Sequence, residues 1–379
     1  MDITTFLKYT TNKLKTNNFT SITMVLGNES CDLDSAVSAF VYATFLHWQY
    51  CKTGVTSSDK IFVPILNVAR KDYELKTEVN YSFKSNNIDG SSLIFRDDFN
   101  FEELLQAHET NVVLVDHHVL SKNDLFVETN VTEIIDHRPK HVSSWKYKEN
   151  TKTTIDIVGS CSTLIFKRIQ EICNEDFFKA YPICADLLYG TIILDTVNFS
   201  KEVNKATPLD VEVVTALEQT LKINDPTKAR ESKLSNLVSA RRDVSQLTPA
   251  QLLRKDVKTI ATILVPSFPI PVSEFLQKQN VELAMREALE GSNTNILLLL
   301  GMKLDGASVT RDLAVYALDK HLDEAAKLAT LLEVWSHPSL DLAIEDTTIQ
   351  NCQYYRQNNL SASRKQVIPV VNEYFKTCE

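Results

Sequence analysis

Four short stretches of the sequence place carboxylates, and in two of them histidines, directly after apolar segments. They read GNESCDLDS from Gly27, LVDHH from Leu114, IIDHRP from Ile134 and LDTVNF from Leu194. A single acid after a strand is most often a helix cap or a turn former, and Asp32 could cap a following helix in this way. Several carboxylates that converge with histidine on one sheet edge would repel one another unless divalent cations neutralised them. The pattern therefore predicts a dinuclear site for hard or borderline cations.

Asp195 is the acid whose position is hardest to explain by structure alone. It lies within the apolar run GTIILDTV, where an unpaired carboxylate would be buried at high cost. We therefore expect Asp195 to be paired or to bind a metal.

The elements that must position these residues alternate between strand and helix patterns in the first half of the chain. Strands are predicted over 21–27, 61–68, 91–95, 111–115 and 132–135, and helices over 34–48, 101–108, 160–173 and 185–198. The run VVLV before Asp116 is typical of a strand covered on both faces. The alternation predicts an α/β fold with a mostly parallel sheet and helices on both faces, whose strand ends open into a ligand crevice.

The second half of the chain predicts a smaller α/β domain. From about 208 to 254 the sequence is helical and charged, which suits a connecting segment. Alternation then resumes with a strand over 257–265, a helix over 272–290, and strands over 294–300 and 313–318. The predicted boundaries are a first domain over 1–207, a helical linker over 208–244 and a second domain over 245–379, with the active site in the cleft between the domains.

Composition excludes several classes of function. The net charge of −9 and the pI of about 5.5 argue against a broad nucleic-acid surface, which needs an excess of basic residues. No apolar run approaches a bilayer span, and the eight glycines form neither GxGxxG nor GxxxxGK[ST]. The seven cysteines form no CxxC pair and indicate reduced thiols, and no signal peptide is evident. We expect a cytoplasmic protein that binds neither nucleic acid nor membrane.

In their order and spacing, the four motifs resemble those of the DHH phosphoesterase superfamily. The closest resemblance is to the subgroup of eukaryotic cytosolic exopolyphosphatases, prune-type proteins and family II inorganic pyrophosphatases. SRKQVIP from Ser363 resembles the phosphate-binding SRKKQ signature in the C-terminal domain of that subgroup, so the resemblance covers nearly the whole chain. The chain has no GG pair, which argues against the branch of nanoRNases and RecJ-type nucleases. The resemblance implies an N-terminal DHH domain with the metal centre and a C-terminal DHH-associated domain that binds substrate.

The resemblance also implies the metal ligands. Asp116 and His137 are 21 residues apart, which makes LVDHH the counterpart of the family's second motif and IIDHRP the counterpart of its third. One cation would be held by Asn28, Asp32 and Asp116, and the other by Asp34, Asp116, His137 and Asp195. Asp116 would then bridge the two cations.

Other residues of the motifs are assigned less directly. Asp136 would support the ligands or hold its loop. His117 and His118 fall outside the implied ligand set, and their roles stay open between a hydrogen bond to a neighbour and proton transfer.

Two departures separate the chain from the pyrophosphatases. Asn28 stands where they have a histidine ligand, and a neutral amide oxygen suits Mg²⁺ better than Mn²⁺ or Co²⁺, which remain possible. Arg138 replaces a second histidine, and its fixed fork grips phosphate in a bidentate manner. Both departures favour a longer polyanion as substrate.

The implied activity is that of an exopolyphosphatase with two divalent cations. A hydroxide bridging the cations would attack the terminal phosphorus of inorganic polyphosphate and release orthophosphate. The catalytic candidates are Asp116, His137 and Arg138, and the candidates for substrate binding are Arg138, Arg364, Lys365, Arg241 and His118. A prune-like short-chain polyphosphatase or cyclic nucleotide phosphodiesterase, an inorganic pyrophosphatase, and a regulatory or scaffold protein with weak catalysis remain alternatives. The protein is expected to be a monomer.

Overall fold

Each half of the chain builds one six-stranded sheet. The computed structural model describes residues 2–54, 59–140, 145–305 and 308–378, and it divides into the units Met1–Arg241 and Arg242–Glu379. Within the described residues, no helix is both long enough and apolar enough to cross a bilayer.

The sheet of the first unit is entirely parallel. Its strands are β1 (Ser21–Leu26), β2 (Lys60–Leu66), β3 (Ile94–Phe95), β4 (Glu109–Val115), β5 (Val131–Asp136) and β6 (Lys152–Ile155). They lie in the order β3-β2-β1-β4-β5-β6, with Leu26 beside Leu114 and Val115 beside Ile135. The order reverses between β1 and β4, and open sheets of this kind bind ligands outside the carboxyl ends of the strands at such a switch point.

Helices cover both faces of this sheet, as the alternation predicts. They are α1 (Ile3–Thr16), α2 (Leu33–Lys52), α3 (Thr77–Ser85), α4 (Phe101–Ala107), α5 (Cys161–Cys173), α6 (Asp176–Ala180), α7 (Pro182–Asp195), α8 (Pro208–Thr220) and α9 (Pro226–Arg242). In β4, Val113 and Val115 belong to one buried apolar cluster, whereas Val112 and Leu114 belong to another. Successive side chains of a strand point to opposite faces, so the run VVLV fills a core on each side.

The segment expected to be a linker is helical but packs on the first unit. Val213, Val214 and Leu217 of α8 and Leu237 of α9 are buried in the same cluster as the apolar side chains of α5 and α7. Most charged residues of this segment are exposed or half-buried, and their number makes its narrow apolar face hard to recognise in the sequence. The two units meet in sequence at Arg241 and Arg242.

The second unit has a mixed sheet. Its strands are β7 (Val257–Ile260), β8 (Ile263–Phe268), β9 (Ile296–Asp305), β10 (Ser308–Ala317), β11 (Leu342–Glu345) and β12 (Cys352–Gln357), in the order β11-β12-β10-β9-β8-β7. Among its described residues, β8 and β9 pair in parallel and the other neighbouring strands pair antiparallel. Its helices are α10 (Pro249–Lys255), α11 (Val272–Leu276), α12 (Val281–Ser292), α13 (Leu322–Val334) and α14 (Arg364–Cys378).

Two predicted elements of this unit are divided in the structure. The strand expected over 257–265 is the antiparallel hairpin β7–β8, which turns at Ala261 with φ of 46°. The helix expected over 272–290 is interrupted between α11 and α12, where Asn280 has φ of 62°. Asparagine adopts this left-handed conformation more readily than most residues, whereas alanine gives no such signal in a sequence.

Candidate metal centre

The carboxyl ends of three neighbouring strands bring the first three motifs together. Asn28 follows β1, Asp116 follows β4, and Asp136 and His137 lie at the end of β5. Since β1 pairs with β4 and β4 with β5, these residues meet at the switch point of the sheet. Asp34 joins them from the first turn of α2.

Asp34, Asp116 and His137 form the tightest cluster. One candidate ligand atom of each lies within 4.8 Å of the others. The His137 Nε2 atom is 3.2 Å from Asp116 Oδ1 and 4.0 Å from Asp34 Oδ2. The His137 Nδ1 atom is 3.0 Å from the carbonyl oxygen of Val158, to which it donates. A histidine that donates one ring N–H to a carbonyl and directs the other nitrogen at carboxylates has the usual arrangement of a metal ligand.

Asp116 has an oxygen that protein donors do not satisfy. Its residue is 1% exposed, and its Oδ2 accepts a hydrogen bond of 2.7 Å from Asn28 Nδ2. Its Oδ1 has no donor with hydrogen-bond geometry in the part of the chain that the structure describes, although His137 Nε2 lies 3.2 Å and Arg138 Nη2 3.6 Å away. A buried carboxylate oxygen without a donor is costly, and a cation would satisfy it. The cluster therefore fits a divalent cation.

Asn28 lies in the centre with its amide nitrogen turned toward Asp116. Its Oδ1 accepts from the backbone N–H of Ser30 at 2.9 Å and from the Ser30 hydroxyl at 2.5 Å. Because the backbone N–H can only donate, this contact fixes the orientation of the amide. Asn28 would have to turn to serve as the oxygen ligand that the resemblance implies, and in the structure it holds Asp116 instead.

Asp34 is held by the N-terminus of α5. Its Oδ2 accepts from the Cys161 N–H at 2.6 Å, and its Oδ1 accepts from the N–H and the hydroxyl of Ser162 at 2.8 and 2.7 Å. A helix N-terminus is a favourable place for a negative charge. The carboxylate is thus fixed before any cation binds.

Asp32 and Asp195 lie close enough to the cluster for their charges to interact with it. Asp32 caps α2 by accepting from the Ser35 N–H at 3.1 Å, as the sequence suggests. Burial and then the Asp34 charge raise the pKa of Asp32. Burial and the Asp34 charge also raise the pKa of Asp195 well above its usual value, and Lys205 offsets part of this effect.

The cluster carries more negative charge than its protein surroundings balance. Burial, followed by the Asp34 charge, raises the pKa of Asp116 to about 7. Burial opposes protonation of His137, yet the neighbouring Asp116 and Asp34 carboxylates outweigh it and raise the pKa of His137 to about 9. Burial and neighbouring acids both disfavour the charged carboxylates, and a bound cation would oppose this effect.

Basic side chains surround the acids. Arg138 is half exposed, and the Lys76 ammonium donates to the carbonyl oxygen of Ser30 in the loop between β1 and α2. Lys205 lies near Asp195, as its effect on the pKa of that acid indicates. Lys76 and Lys205 lie outside the motifs, so the sequence analysis missed them.

His118 and Asp136 connect the second and third motifs. The His118 Nδ1 atom pairs with Asp136 Oδ2, and Asp136 Oδ1 accepts from the Arg138 N–H at 3.2 Å. His118 is 4% exposed. His117 donates from Nδ1 to the Val115 carbonyl oxygen at 3.0 Å, and burial lowers the pKa of its ring.

The remaining predicted residues have partners of their own. Arg241 pairs with Glu78 at 3.2 Å. In the second unit, Arg364 Nη2 lies 2.9 Å from Asp256 Oδ1, and Lys365 is exposed at the start of α14.

The Gln of the SRKQ motif has a local structural role. The Gln366 side-chain oxygen accepts from the N–H and the hydroxyl of Ser363, each at 2.9 Å. These contacts stabilise the first turn of the helix.

Comparisons with known proteins match a family model to each part of the chain. A model described as the DHH family, N-terminal domain, matches residues 22–192, and one described as the DHHA2 domain matches residues 235–374. Human exopolyphosphatase PRUNE1 is 34% identical over 355 residues, which cover 92% of this chain and 75% of that protein. A putative exopolyphosphatase of Schizosaccharomyces pombe is 26% identical over 371 residues, which cover 94% of this chain and 91% of that protein.

Among solved structures, the crystal structure of a putative family II inorganic pyrophosphatase of Methanococcus jannaschii is similar with a TM-score of 0.46. It is 20% identical, and the similarity covers 93% of this chain and 99% of that chain. With both domains matched in order and a PRUNE1 relative at 34% identity, the chain belongs to the DHH family.

Proposed function

We propose that the protein is a metal-dependent exopolyphosphatase that hydrolyses the terminal phosphoanhydride bond of inorganic polyphosphate and releases orthophosphate. The observation that carries the proposal is the cluster of Asp34, Asp116 and His137, whose ligand atoms lie within 4.8 Å of one another. The similarity of the chain to human PRUNE1, which bears the name exopolyphosphatase, supports the choice of polyphosphate as substrate.

Asp34, Asp116 and His137 would form the core of a centre for two divalent cations, with Asp32 and Asp195 beside them. Oxygen ligands favour Mg²⁺, and Mn²⁺ or Co²⁺ are alternatives. Bound cations of this kind supply a water of lowered pKa as nucleophile and neutralise phosphoryl oxygens.

The chain's own residues would orient the reacting groups. Asn28 holds Asp116 Oδ2, which leaves Oδ1 directed toward His137. The Val158 carbonyl accepts the Nδ1 proton of His137, so that Nε2 faces the carboxylates and would bind a cation on losing its own proton. Arg138 is exposed enough to reach substrate, and its planar fork suits the equatorial oxygens of a transferring phosphoryl group.

Other basic residues would hold the polymer. Lys205 lies near Asp195, Lys76 contacts the loop between β1 and α2, and the further candidates are Arg241, Arg364 and Lys365. The burial of His118 and its contact with Asp136 favour a positioning role for His118 over substrate contact. We further propose that Arg364 and Lys365 contact phosphates of the polymer, and an unchanged rate together with an unchanged polyphosphate affinity in Arg364→Ala would refute this.

The test is phosphate release from pyrophosphate, tripolyphosphate, long-chain polyphosphate and a cyclic nucleotide, with Mg²⁺ and Mn²⁺ in parallel. We expect the highest kcat/KM on polyphosphates longer than pyrophosphate and no turnover by Asp116→Asn. Faster turnover of pyrophosphate would identify a pyrophosphatase, and turnover of the cyclic nucleotide alone would identify a phosphodiesterase. Failure on all substrates with either cation would leave the scaffold alternative.

We also propose that the protein works as a monomer in the cytoplasm, without nucleic acid or membrane as partner. The net charge of −9 supports the exclusion of nucleic acid. Light scattering at assay concentration tests the monomer, and a stable dimer mass would contradict it.

A further inference from the structure

Asp210 is a fully buried carboxylate that belongs to none of the motifs. It lies in the first turn of α8 at 0% exposure. Its Oδ2 accepts from the Gly159 N–H at 2.8 Å and from the N–H and the hydroxyl of Thr207, each at 2.7 Å. Its Oδ1 accepts from the Thr163 hydroxyl at 2.6 Å. Asp210 thus joins the start of α8 to the segment that begins α5.

That segment holds two of the candidate ligands through its backbone. The Val158 carbonyl accepts from His137, and the N–H groups of Cys161 and Ser162 donate to Asp34. Residues 158–163 therefore contact Asp210 on one side and the metal centre on the other. A shift of this segment would move both ligands at once.

Gly159 shows that the segment has little room to shift. A Cβ atom on Gly159 would lie 2.6 Å from Thr196 Cγ2 and 2.9 Å from Asp210 Oδ2. Thr196 directly follows Asp195, a further acid near the centre. The backbone at Gly159 is therefore enclosed between the end of α7 and Asp210.

We propose that Asp210 is a positioning residue for the metal centre, which fixes residues 158–163 and thereby the placement of Asp34 and His137. The proposal rests on the proposed function insofar as these residues bind divalent cations. Two of its hydrogen bonds, from the Gly159 N–H and the Thr163 hydroxyl, restrain the segment, while the two from Thr207 hold Asp210 in the first turn of α8. Loss of this restraint would weaken cation binding without removing any ligand.

The test is the affinity of the full-length protein for Mn²⁺, measured by isothermal titration calorimetry without substrate. Asp210→Asn keeps the volume but removes the charge and one acceptor oxygen. We expect its Kd for Mn²⁺ to rise about tenfold, as for other residues that orient metal ligands. We also expect KM for the metal in phosphate release to rise with it.

Glu218→Gln is the matched control on the same helix. Glu218 is 6% exposed and accepts from Arg230 at 2.9 Å and from Tyr189 at 3.4 Å, away from residues 158–163. This variant is expected to lower Tm in EDTA while leaving the Kd for Mn²⁺ within twofold of the wild-type value. If Asp210→Asn and Glu218→Gln weaken Mn²⁺ binding equally, Asp210 contributes only to general stability and the proposal is overturned.

Thr163→Val serves as a second variant if Asp210→Asn does not fold. It removes only the donor to Asp210 Oδ1, and we expect Kd to rise about threefold, less than for the full loss of charge. An unchanged Kd in the folded variants would overturn the proposal. A wild-type protein that binds Mn²⁺ but hydrolyses no phosphoanhydride would instead refute the proposed function alone.

Discussion

Replacing Asp116 with asparagine is expected to stabilise the metal-free protein while abolishing its response to divalent cations. Asp116 is buried, and burial together with Asp34 raises its pKa from 3.8 to about 7. Its φ of 60° is a conformation that asparagine tolerates well. The amide oxygen of the variant can still accept from Asn28 Nδ2, so the substitution removes a charge with little change in packing.

The magnitude follows from the pKa of Asp116. An acid with a raised pKa in the folded protein retains its proton better there, so the free energy of unfolding falls as the pH rises from about 4 to about 7. Above pH 7, the rise of this pKa from 3.8 to about 7 lowers the free energy of unfolding by about 4 kcal/mol. At pH 5, the same relation lowers the free energy of unfolding by only about 2 kcal/mol. The attraction of His137 and Arg138 is already contained in this pKa.

Urea unfolding, followed by circular dichroism in EDTA at pH 8 and pH 5, measures the effect. We expect Asp116→Asn to exceed wild type by up to about 4 kcal/mol at pH 8 and by less at pH 5. Mn²⁺ at one hundred times its Kd should stabilise wild type by about 2.7 kcal/mol and the variant much less. The reasoning is refuted if the variant is less stable than wild type in EDTA at pH 8, or if Mn²⁺ stabilises both equally.

A second buried acid on the same sheet provides the control. Glu133 in β5 accepts from Tyr42 at 3.0 Å and from Arg168 at 3.2 Å, outside the centre. Because Glu133→Gln removes the charge that pairs with Arg168, it should lower stability at both pH values. Glu133→Gln should show the same increase in the free energy of unfolding on addition of Mn²⁺ as wild type.

Three further predictions concern stability away from the centre. Burial lowers the pKa of His47 to about 4, so the unfolded chain binds the proton first and the free energy of unfolding falls as the pH drops from 6.5 toward 4. In urea unfolding at pH 7 and pH 5, His47→Leu should show a smaller decrease in the free energy of unfolding than wild type. Phe83 is fully buried, and Phe83→Ala should cost about 3–5 kcal/mol in the same assay, whereas a cost below about 1 kcal/mol would contradict its core position. A Cβ on Gly301 would lie 2.1 Å from Asp312 Oδ1, so Gly301→Ala should lower Tm, while Gly291→Ala, with open space around the new Cβ, should not.

The first sheet could be predicted from the sequence because its strands are short apolar runs that end in polar motifs. Strands β1, β4 and β5 lie within a few residues of their expected bounds, and parallel strands bring their carboxyl ends to one edge. The juxtaposition of Asp116 and His137 follows from that geometry. The switch point between β1 and β4 could not be predicted, because strand order depends on crossovers that the local pattern does not encode.

Other features had no local signal. Ala261 turns the β7–β8 hairpin although it is neither glycine nor asparagine, so the pattern predicted one strand. The strand predicted over 91–95 is reduced to Ile94–Phe95, because a 3₁₀ turn occupies Gly90–Ser92. By contrast, α1 was not predicted although its buried Ile3, Phe6, Leu7 and Leu14 stand at helical spacing, and α3, α6, α13 and α14 were not predicted either.

The orientation of the side chains in the metal centre was the feature least predictable from the sequence. The contact of Asp34 with Ser162 joins residues that are 128 positions apart, and the amide of Asn28 is oriented by Ser30 rather than by its own type. The motif identified Asn28 as a ligand, whereas the structure directs its nitrogen at Asp116. Sequence spacing can therefore select the residues of a centre, but hydrogen bonds decide which atom of each faces its interior.

The way in which the acids are held explains why repulsion does not disperse them. Asp34 is fixed by the N-terminus of α5, Asp32 by a backbone N–H of α2, and Asp116 Oδ2 by Asn28, so each has protein donors that do not depend on a cation. Burial, followed by the Asp34 charge, instead raises the pKa values of Asp116 and Asp195. A divalent cation would displace these protons and relieve the repulsion without any rearrangement of the backbone. The fold thus holds the ligands in place at the expense of its own metal-free stability, which is why neutralising Asp116 should raise that stability while removing the binding of cations.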